Sequence, residues 1–298
     1  MSKIGDFEIK NSTSKPVVSP GSFNSRMKKI NLVTHGGLML FALYLALPFM
    51  WIISTSLRLP KDSFSLPPTF WPTDFIVGNY LDVFLQVPFT AFILNSIKIA
   101  AIVVLGHIII SSMAAYAFSR IDFPGRNVVF IIFLAGLMIP GQVTIIPQFI
   151  LLSKLNLVDT HASLILPALI NPIGIFLIRQ MMLTIPKTFD EAAFIDGANR
   201  FWVYYRVILP MAMPAIVVTS VMHFIATWND FFRPLIFLNT YEKMTLPIGM
   251  TVLKGVFGTG NLSAILAGVT ISLIPPLLIY ILGQKYLVEG ITMGGLKQ

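Results

Sequence analysis

The sequence predicts an all-α polytopic membrane protein that crosses the bilayer six times. Three observations carry this expectation. Of 298 residues, 55% are hydrophobic and only 11% are charged, against about a quarter charged in a soluble domain, and one globule cannot hide that much apolar surface. Apolar runs of the roughly 20 residues needed to span a bilayer recur near residues 32–56, 92–118, 128–152, 163–182, 207–228 and 263–282. With both termini inside, 14 Lys and Arg fall on the inner side and 6 on the outer, with Lys98 in a span, which is the bias that orients membrane proteins.

The same topology accounts for the net charge of +8, so membrane lipid rather than nucleic acid is the expected surroundings. The chain has no cysteine, which excludes disulfides, thiolate nucleophiles and thiolate metal sites. There is no phosphate-binding G-x-x-x-x-G-K-[ST] string and no H-E-x-x-H, so no catalytic site, bound cofactor or metal is expected. A transport pathway without its own enzyme activity remains. An ion-coupled secondary transporter is the rival; it needs carboxylates inside the bilayer, and all 13 Asp and Glu fall in expected loops, tails or span ends.

Residues 1–30 are polar and read as a cytoplasmic tail, not a signal peptide, because no small-residue cleavage pattern follows the basic cluster Arg26, Lys28 and Lys29. The permease domain is expected over 31–286 and a second cytoplasmic tail over 287–298. Span one contains Pro48. A Pro-rich external loop follows from Arg58 to Pro88, with Trp71, Phe75 and Tyr80 suited to the membrane–water interface. Span two carries Asn95 and His107, polar groups expected to face the bundle interior, with His107 read as an interhelical hydrogen-bonder, and the small-residue patch Ser111–Ala115, which suits close helix approach. Lys98 can snorkel to the headgroups.

Span three contains Pro140-Gly141 and Pro147, both expected to break its ladder. Broken backbone at membrane depth is tolerated where it lines a cavity, so Gln142 and Thr144 become pathway candidates. Span four is interrupted at Pro167 and at Asn171-Pro172; Asn171 reads as a pathway residue or as the cap of the break. Asn229 is a fourth pathway candidate. Residues 229–262 read as a Gly-rich external loop holding Lys254, Gly255, Phe257 and Gly258.

Between spans four and five lies the longest polar island, Lys187–Pro214. Thr188 and Glu191 have capping-box spacing, Asp190 and Glu191 suit a helix N-terminus, and Gly197 suits a helix exit. A short helix over Phe189–Asp196 is expected, with Phe189, Ala192, Ala193 and Asp196 on one docking face.

Glu191-Ala192-Ala193, three residues, Gly197, nine residues, Val207, one residue, Leu209-Pro210 resembles the EAA loop of ATP-binding-cassette importer permeases, with Val207 where Ile is usual. From about Leu32 onward the chain resembles the carbohydrate branch, in the subunit class of the second membrane subunit of the maltose importer. The strings GNYLDVF, MIPGQVTIIPQF, WNDFFRPLIFL and QKYLVEGITMGGLKQ resemble recurrent family stretches.

The resemblance implies a type I importer permease fold in a bacterial or archaeal inner membrane. It implies a heterodimer with a second permease, two cytoplasmic ATPase subunits holding ATP and Mg, and an extracytoplasmic sugar-binding protein. The short helix would be the coupling helix, with Glu191, Ala192, Ala193, Asp196, Gly197, Leu209 and Pro210 serving the ATPase contact. The loop with Lys254, Gly255, Phe257 and Gly258 would reach the binding protein, and the C-terminal tail would contact the ATPases.

Overall fold

The computed structural model describes the backbone of residues 20–63, 70–72, 74–258 and 260–295, and side chains from residue 34 to 286 within them. The expected N-terminal tail up to residue 19, Pro67, Pro68 and the last three residues lie outside the described residues. The chain divides into two compact units, residues 1–51 and 52–298.

The first unit contains most of α1, Pro20–Ser56, with Pro48 inside the helix. Thr34–Ser56 is long and apolar enough to cross a bilayer. Leu40, Phe41, Tyr44 and Phe49 are exposed, as lipid-facing side chains are.

In the second unit, described helices follow in order: α2 Gly78–Gln86, α3 Phe89–Arg120, α4 Arg126–Ala135, α5 Gly141–Lys154, α6 Ala162–Ala168 and α7 Pro172–Thr184. Then come α8 Thr188–Ile195, α9 Arg200–Val203, a π turn Tyr204–Ile208, α10 Leu209–Met211, α11 Met213–Trp228, α12 Phe232–Phe237, α13 Leu246–Phe257 and α14 Leu262–Gly295. No strand occurs among the described residues. Four of the described helical stretches are long and apolar enough to cross a membrane, and six if two bent pairs each count as one span.

Those bent pairs correct two expected spans. The third is not one rod: α4, with a 3-10 turn to Met138, meets α5 at 102°. The break falls at Ile139–Pro140, since a residue before proline is pushed out of helical geometry; Ile139 is extended, with φ −89° and ψ 114°. Pro147 breaks nothing and sits inside α5, where it removes a single ladder bond. In the fifth, the helix that runs to Trp228 begins at Met213. Residues up to Met211 form a separate arm bent 75° from α11, because Pro214 in the first turn of α11 cannot continue an incoming helix.

Residues 58–88 and 229–262 also hold more helix than their Pro and Gly content suggests. The stretch GNYLDVF lies in α2. Its Asn79 donates to the carbonyls of Ser56 and Arg58 at 2.8 and 2.7 Å, satisfying acceptors that a helix end leaves open. In the second stretch, α13 is amphipathic, with Leu246, Ile248, Gly249 and Leu253 buried.

Helix α3 is the hub, packing against α7 and α11, while α14 lies along α11. Three apolar clusters run along the bundle. One, around Tyr116, Ile178, Met182 and Ile208, lies at the C-terminal end of α3. A second, around Phe89, Phe92, Trp228 and Leu253, lies at its N-terminal end. The third joins Ile99 and Val103 of α3 to Ile145, Leu164 and Phe237. The small-residue patch behaves as its composition suggests, with Ser111, Ser112 and Ala115 fully buried.

Candidate functional site

Helix α8 forms one residue earlier than its sequence suggests, and without the capping box. Lys187 is the N-cap and no side chain caps the helix. The amide of Glu191 donates to Lys187 O at 3.0 Å, so the bond that Thr188 was expected to accept is already an intrahelical one. At the other end Gly197 adopts φ +82°. Its amide donates to Phe194 O at 3.1 Å, and Ala198 N donates to Ala193 O at 3.0 Å. This pair of bonds is the Schellman motif.

The two faces of α8 differ from the expected ones. Ala193 is not on the outer face: it is buried in the chain's own cluster with Val203, Tyr204 and Ile208. Asp190 is buried as well, whereas Phe189, Glu191, Ala192, Ile195 and Asp196 are exposed. The reason is an ion pair. Arg120, the last residue of α3, places Nη1 3.2 Å from Oδ2 of Asp190. Its Nη2 donates to Met182 O and Ile185 O at 2.8 and 2.7 Å. One guanidinium thus fastens α8 to the ends of α3 and α7. Beside it a cavity of about 190 Å³ is lined by Tyr116, Lys187, Glu191 and Arg200, among others.

Leu209 and Pro210 form α10 in the bent arm that follows. Preceding them, the π turn is anchored by Tyr204, whose hydroxyl meets Ser112 Oγ at 2.8 Å, and the Tyr116 hydroxyl donates to Arg200 O at 3.1 Å.

Two further cavities lie along the bundle. One, of about 290 Å³, is lined at one end by Ser96, Gln142, Thr227, Asp230 and Thr245. Ser96 lies near the N-terminal end of α3, Thr227 and Asp230 at the C-terminal end of α11, Gln142 at the start of α5 and Thr245 at the N-cap of α13. The other, of about 320 Å³, is lined by Asn171 and Leu177, from the N-cap and body of α7, and by Thr219 and Met222 of α11. Of the four pathway candidates, Gln142 lines the first cavity and Asn171 the second. Thr144 and Asn229 line neither. Thr144 turns back on its own helix, donating to Gly141 O at 2.8 Å and accepting from Gln148 Nε2 at 3.0 Å, and Asn229 is the exposed C-cap of α11. Asn171 is also the N-cap of α7, accepting from Gly174 N at 3.3 Å.

Sequence reasoning missed His223, Asp230 and Arg233, which line the cavities. The spacing of His223, Thr227 and Asp230 along one helical face was the available signal. Asp230 Oδ2 lies 3.8 Å from Arg233 Nη1, so the pair is charge-compensated. His107 makes the interhelical bond expected of it, with Nε2 3.2 Å from Thr219 Oγ1. Asn95 instead donates to Glu242 O and Met244 O at 2.8 and 3.0 Å, tying α3 to the far loop.

That far end is closed by a polar clasp. Asp159 accepts from Asn239 N at 2.9 Å, Thr240 N at 2.8 Å, the Thr240 hydroxyl at 2.5 Å and Lys243 Nζ at 3.0 Å. These bonds, those from Thr240 foremost, hold its carboxyl well below the usual carboxylate range. His161 Nε2 meets Lys243 O at 2.9 Å, and burial pushes its imidazole pKa down. Lys254, Gly255 and Phe257 sit in the last turn of α13 and Gly258 caps it with φ +56°, so these residues end a helix rather than form an open loop. The described residues hold no group of three His, Asp or Glu placed to bind a metal.

Residues 107–292 match the family described as binding-protein-dependent transport system inner membrane component. The matched region begins in mid-α3 and contains α8, the bent arm and α11. Among characterised relatives, the trehalose/maltose transport system permease protein MalG of Thermococcus litoralis is 35% identical over 281 residues, covering 91% of this chain and 98% of that one. The arabinooligosaccharides transport system permease protein AraQ of Halalkalibacterium halodurans is 34% identical over 229 residues, covering 76% and 82%. A chain from the crystal structure of a bacterial ABC transporter involved in the import of the acidic polysaccharide alginate superposes with a TM-score of 0.75 at 25% identity, covering 91% of this chain and 99% of that one. A second structure, of the alginate transporter in complex with an alginate pentasaccharide-bound periplasmic protein, shares the fold with a TM-score of 0.61 at 15% identity, covering 87% and 94%. The length of the match, its coverage of α8 and the shared fold agree, and the chain belongs to the binding-protein-dependent inner membrane components, the membrane-spanning permeases of ABC transporters.

Proposed function

We propose that this permease passes a sugar, delivered by an extracytoplasmic binding protein, through a path it forms with a second permease chain. Two separate ATPase subunits, holding ATP and Mg, drive it through α8. The observation that carries this reading is the build of α8. The helix is ended sharply at Gly197 and fastened to α3 and α7 through Arg120 and Asp190, yet it presents Glu191, Ala192, Ile195 and Asp196 outward. A helix so held can receive a push and pass it to the spans.

The Lys and Arg bias supports a cytoplasmic side for α8 and for both termini, residues 1–30 and 287–298. The end of α13, with Lys254, Gly255, Phe257 and Gly258, then faces the binding protein. The substrate reading rests on relatives that carry sugars and on cavities lined by Gln142, Thr227, His223 and Asn171.

The test is co-purification in detergent with the cognate ATPase and partner permease, comparing wild type with Gly197→Val. A side chain at positive φ costs about 1–2 kcal/mol, and a β-branched one more. Loss of the ATPase from a properly inserted variant is expected. A properly inserted wild type that retains no ATPase would overturn the reading.

A further inference from the structure

The two larger cavities share four lining residues, Ala168, His223, Ala226 and Arg233, and meet there. At that junction both ring nitrogens of His223 are engaged. Its Nε2 lies 2.8 Å from Ala168 O, and a carbonyl can only accept, so Nε2 carries the proton. Nδ1 is then an acceptor and takes the amide of Asn171 at 3.1 Å. Asn171 is held in that orientation because its Oδ1 accepts from Gly174 N. Both partners of His223 belong to the break between α6 and α7, where helical backbone groups lose their own partners.

The ring is also braced from behind. His107, fully buried, lies with its centroid 4.9 Å from that of His223. Thr219 Oγ1 donates to Ile216 O at 3.1 Å, so it accepts from His107 Nε2; Ser111 Oγ then donates to Nδ1 at 2.8 Å. Gly174 leaves room for this ring: a Cβ there would come within 2.2 Å of His107 Cε1. Two imidazoles with all four nitrogens engaged thus lie together where the two cavities meet, beside the break in the fourth span.

We infer that His223 is a positioning residue that gates the pathway: bonded to Ala168 and Asn171, it closes the outer cavity from the inner one, and it must release the break in the fourth span for substrate to pass. This rests on the pathway reading above. Because both ring nitrogens are engaged, His223 in this state offers no hydrogen bond to a sugar. Its role is to separate the two spaces, and the substrate contacts fall to neighbours such as Gln142 and Thr227.

The chain has no cysteine, so single thiols report accessibility without background. Gln142→Cys would report on the outer cavity and Leu177→Cys on the inner one. Both are tested in the full chain, expressed with its cognate subunits in right-side-out vesicles, with a water-soluble, membrane-impermeant maleimide added outside. The thiol at 142 should label readily in every background. The thiol at 177 should label slowly with His223 present and about tenfold faster in His223→Ala, the shift expected from losing two hydrogen bonds. His223→Gln keeps a donor and an acceptor and should restore protection, which a general loss of packing would not. If His223→Ala does not assemble, Asn171→Leu, which removes the donor to Nδ1, carries the same expectation. Equal labelling at 177 with and without His223, while 142 labels, would overturn the gate and leave the pathway standing. No labelling at 142 would overturn the pathway and the gate with it.

Discussion

Arg120 and Asp190 meet as an ion pair at 3.2 Å, with side chains only 5% and 11% exposed. This contact turns α8 from a surface loop into a part of the bundle. The same guanidinium holds two carbonyls at the end of α7, so any displacement of α8 is felt at α3 and α7 together.

Asp190→Asn should therefore loosen α8 without unfolding the spans. Removing one partner of a buried pair costs roughly 3 kcal/mol, because the remaining charge stays buried and unpaired. Amide exchange in residues 188–196 should speed up, with exchange in α3 and α11 unchanged. Arg120→Gln should do more, since it also frees Met182 O and Ile185 O. Equal protection of α8 in wild type and Asp190→Asn would show that the pair is not what holds the helix.

The two alanines of α8 should respond differently to bulk. Ala193→Trp pushes an indole into the cluster of Val203, Tyr204 and Ile208, and overpacking of this kind costs about 1–3 kcal/mol or more. Reduced yield of monodisperse protein is expected. Ala192→Trp lies on the outer face, so the protein should insert and purify normally yet fail to retain its ATPase. Normal yield for Ala193→Trp, or normal ATPase retention for Ala192→Trp, would contradict the assigned faces.

Gly174→Ala should displace His107. The added methyl meets the imidazole at 2.2 Å, a clash that backbone on one side and a fully buried ring on the other absorb poorly, at a cost of about 1–3 kcal/mol. Pairing it with His107→Ser should recover most of the lost thermal stability, because neighbours that share one space are not additive. A double variant no more stable than Gly174→Ala would point to strain elsewhere.

The clasp at the far end should respond to acid through His161, not Asp159. Asp159 has a depressed pKa in the folded chain, so its contribution is complete above the ordinary carboxylate value of about 4 and fades only as pH falls further, through the folded value. His161 is also depressed, by burial. Its neutral form is favoured by folding, so its contribution is present above about pH 6.5 and declines as pH falls toward and through the folded value. Proteolysis or amide exchange of residues 238–245 should increase between pH 7 and pH 5, and His161→Gln should flatten that dependence. An increase of the same size in His161→Gln would assign the effect to another group.

Much of the architecture was legible because it is encoded within a few residues. Apolar runs of bilayer length mark the crossings, Pro140 and Asn171-Pro172 mark breaks, and Gly197 marks the exit of α8 because an unbranched backbone is needed at φ +82°. Errors arose where two local signals compete. Pro147 looks as disruptive as Pro140 but falls inside a helix, and Thr188 and Glu191 have capping-box spacing although the helix begins one residue earlier. Gly255 and Gly258 suggested an open loop, yet Leu246, Ile248 and Leu253 bury α13 against the bundle.

The sequence by itself determined an all-α permease with several apolar runs of bilayer length and a polar loop of fixed spacing around α8, because bilayer length, charge bias and backbone sterics act locally along the chain. Tertiary structure alone decided which way the residues face. It turned Asp190 and Ala193 inward, joined Asp190 to Arg120, and set His223 between two cavities with His107 behind it. Helices that are apolar almost all round carry little periodic signal of their buried face. The partner of a polar side chain in such a helix is fixed by how the helices cross, and residues distant along the chain settle that together.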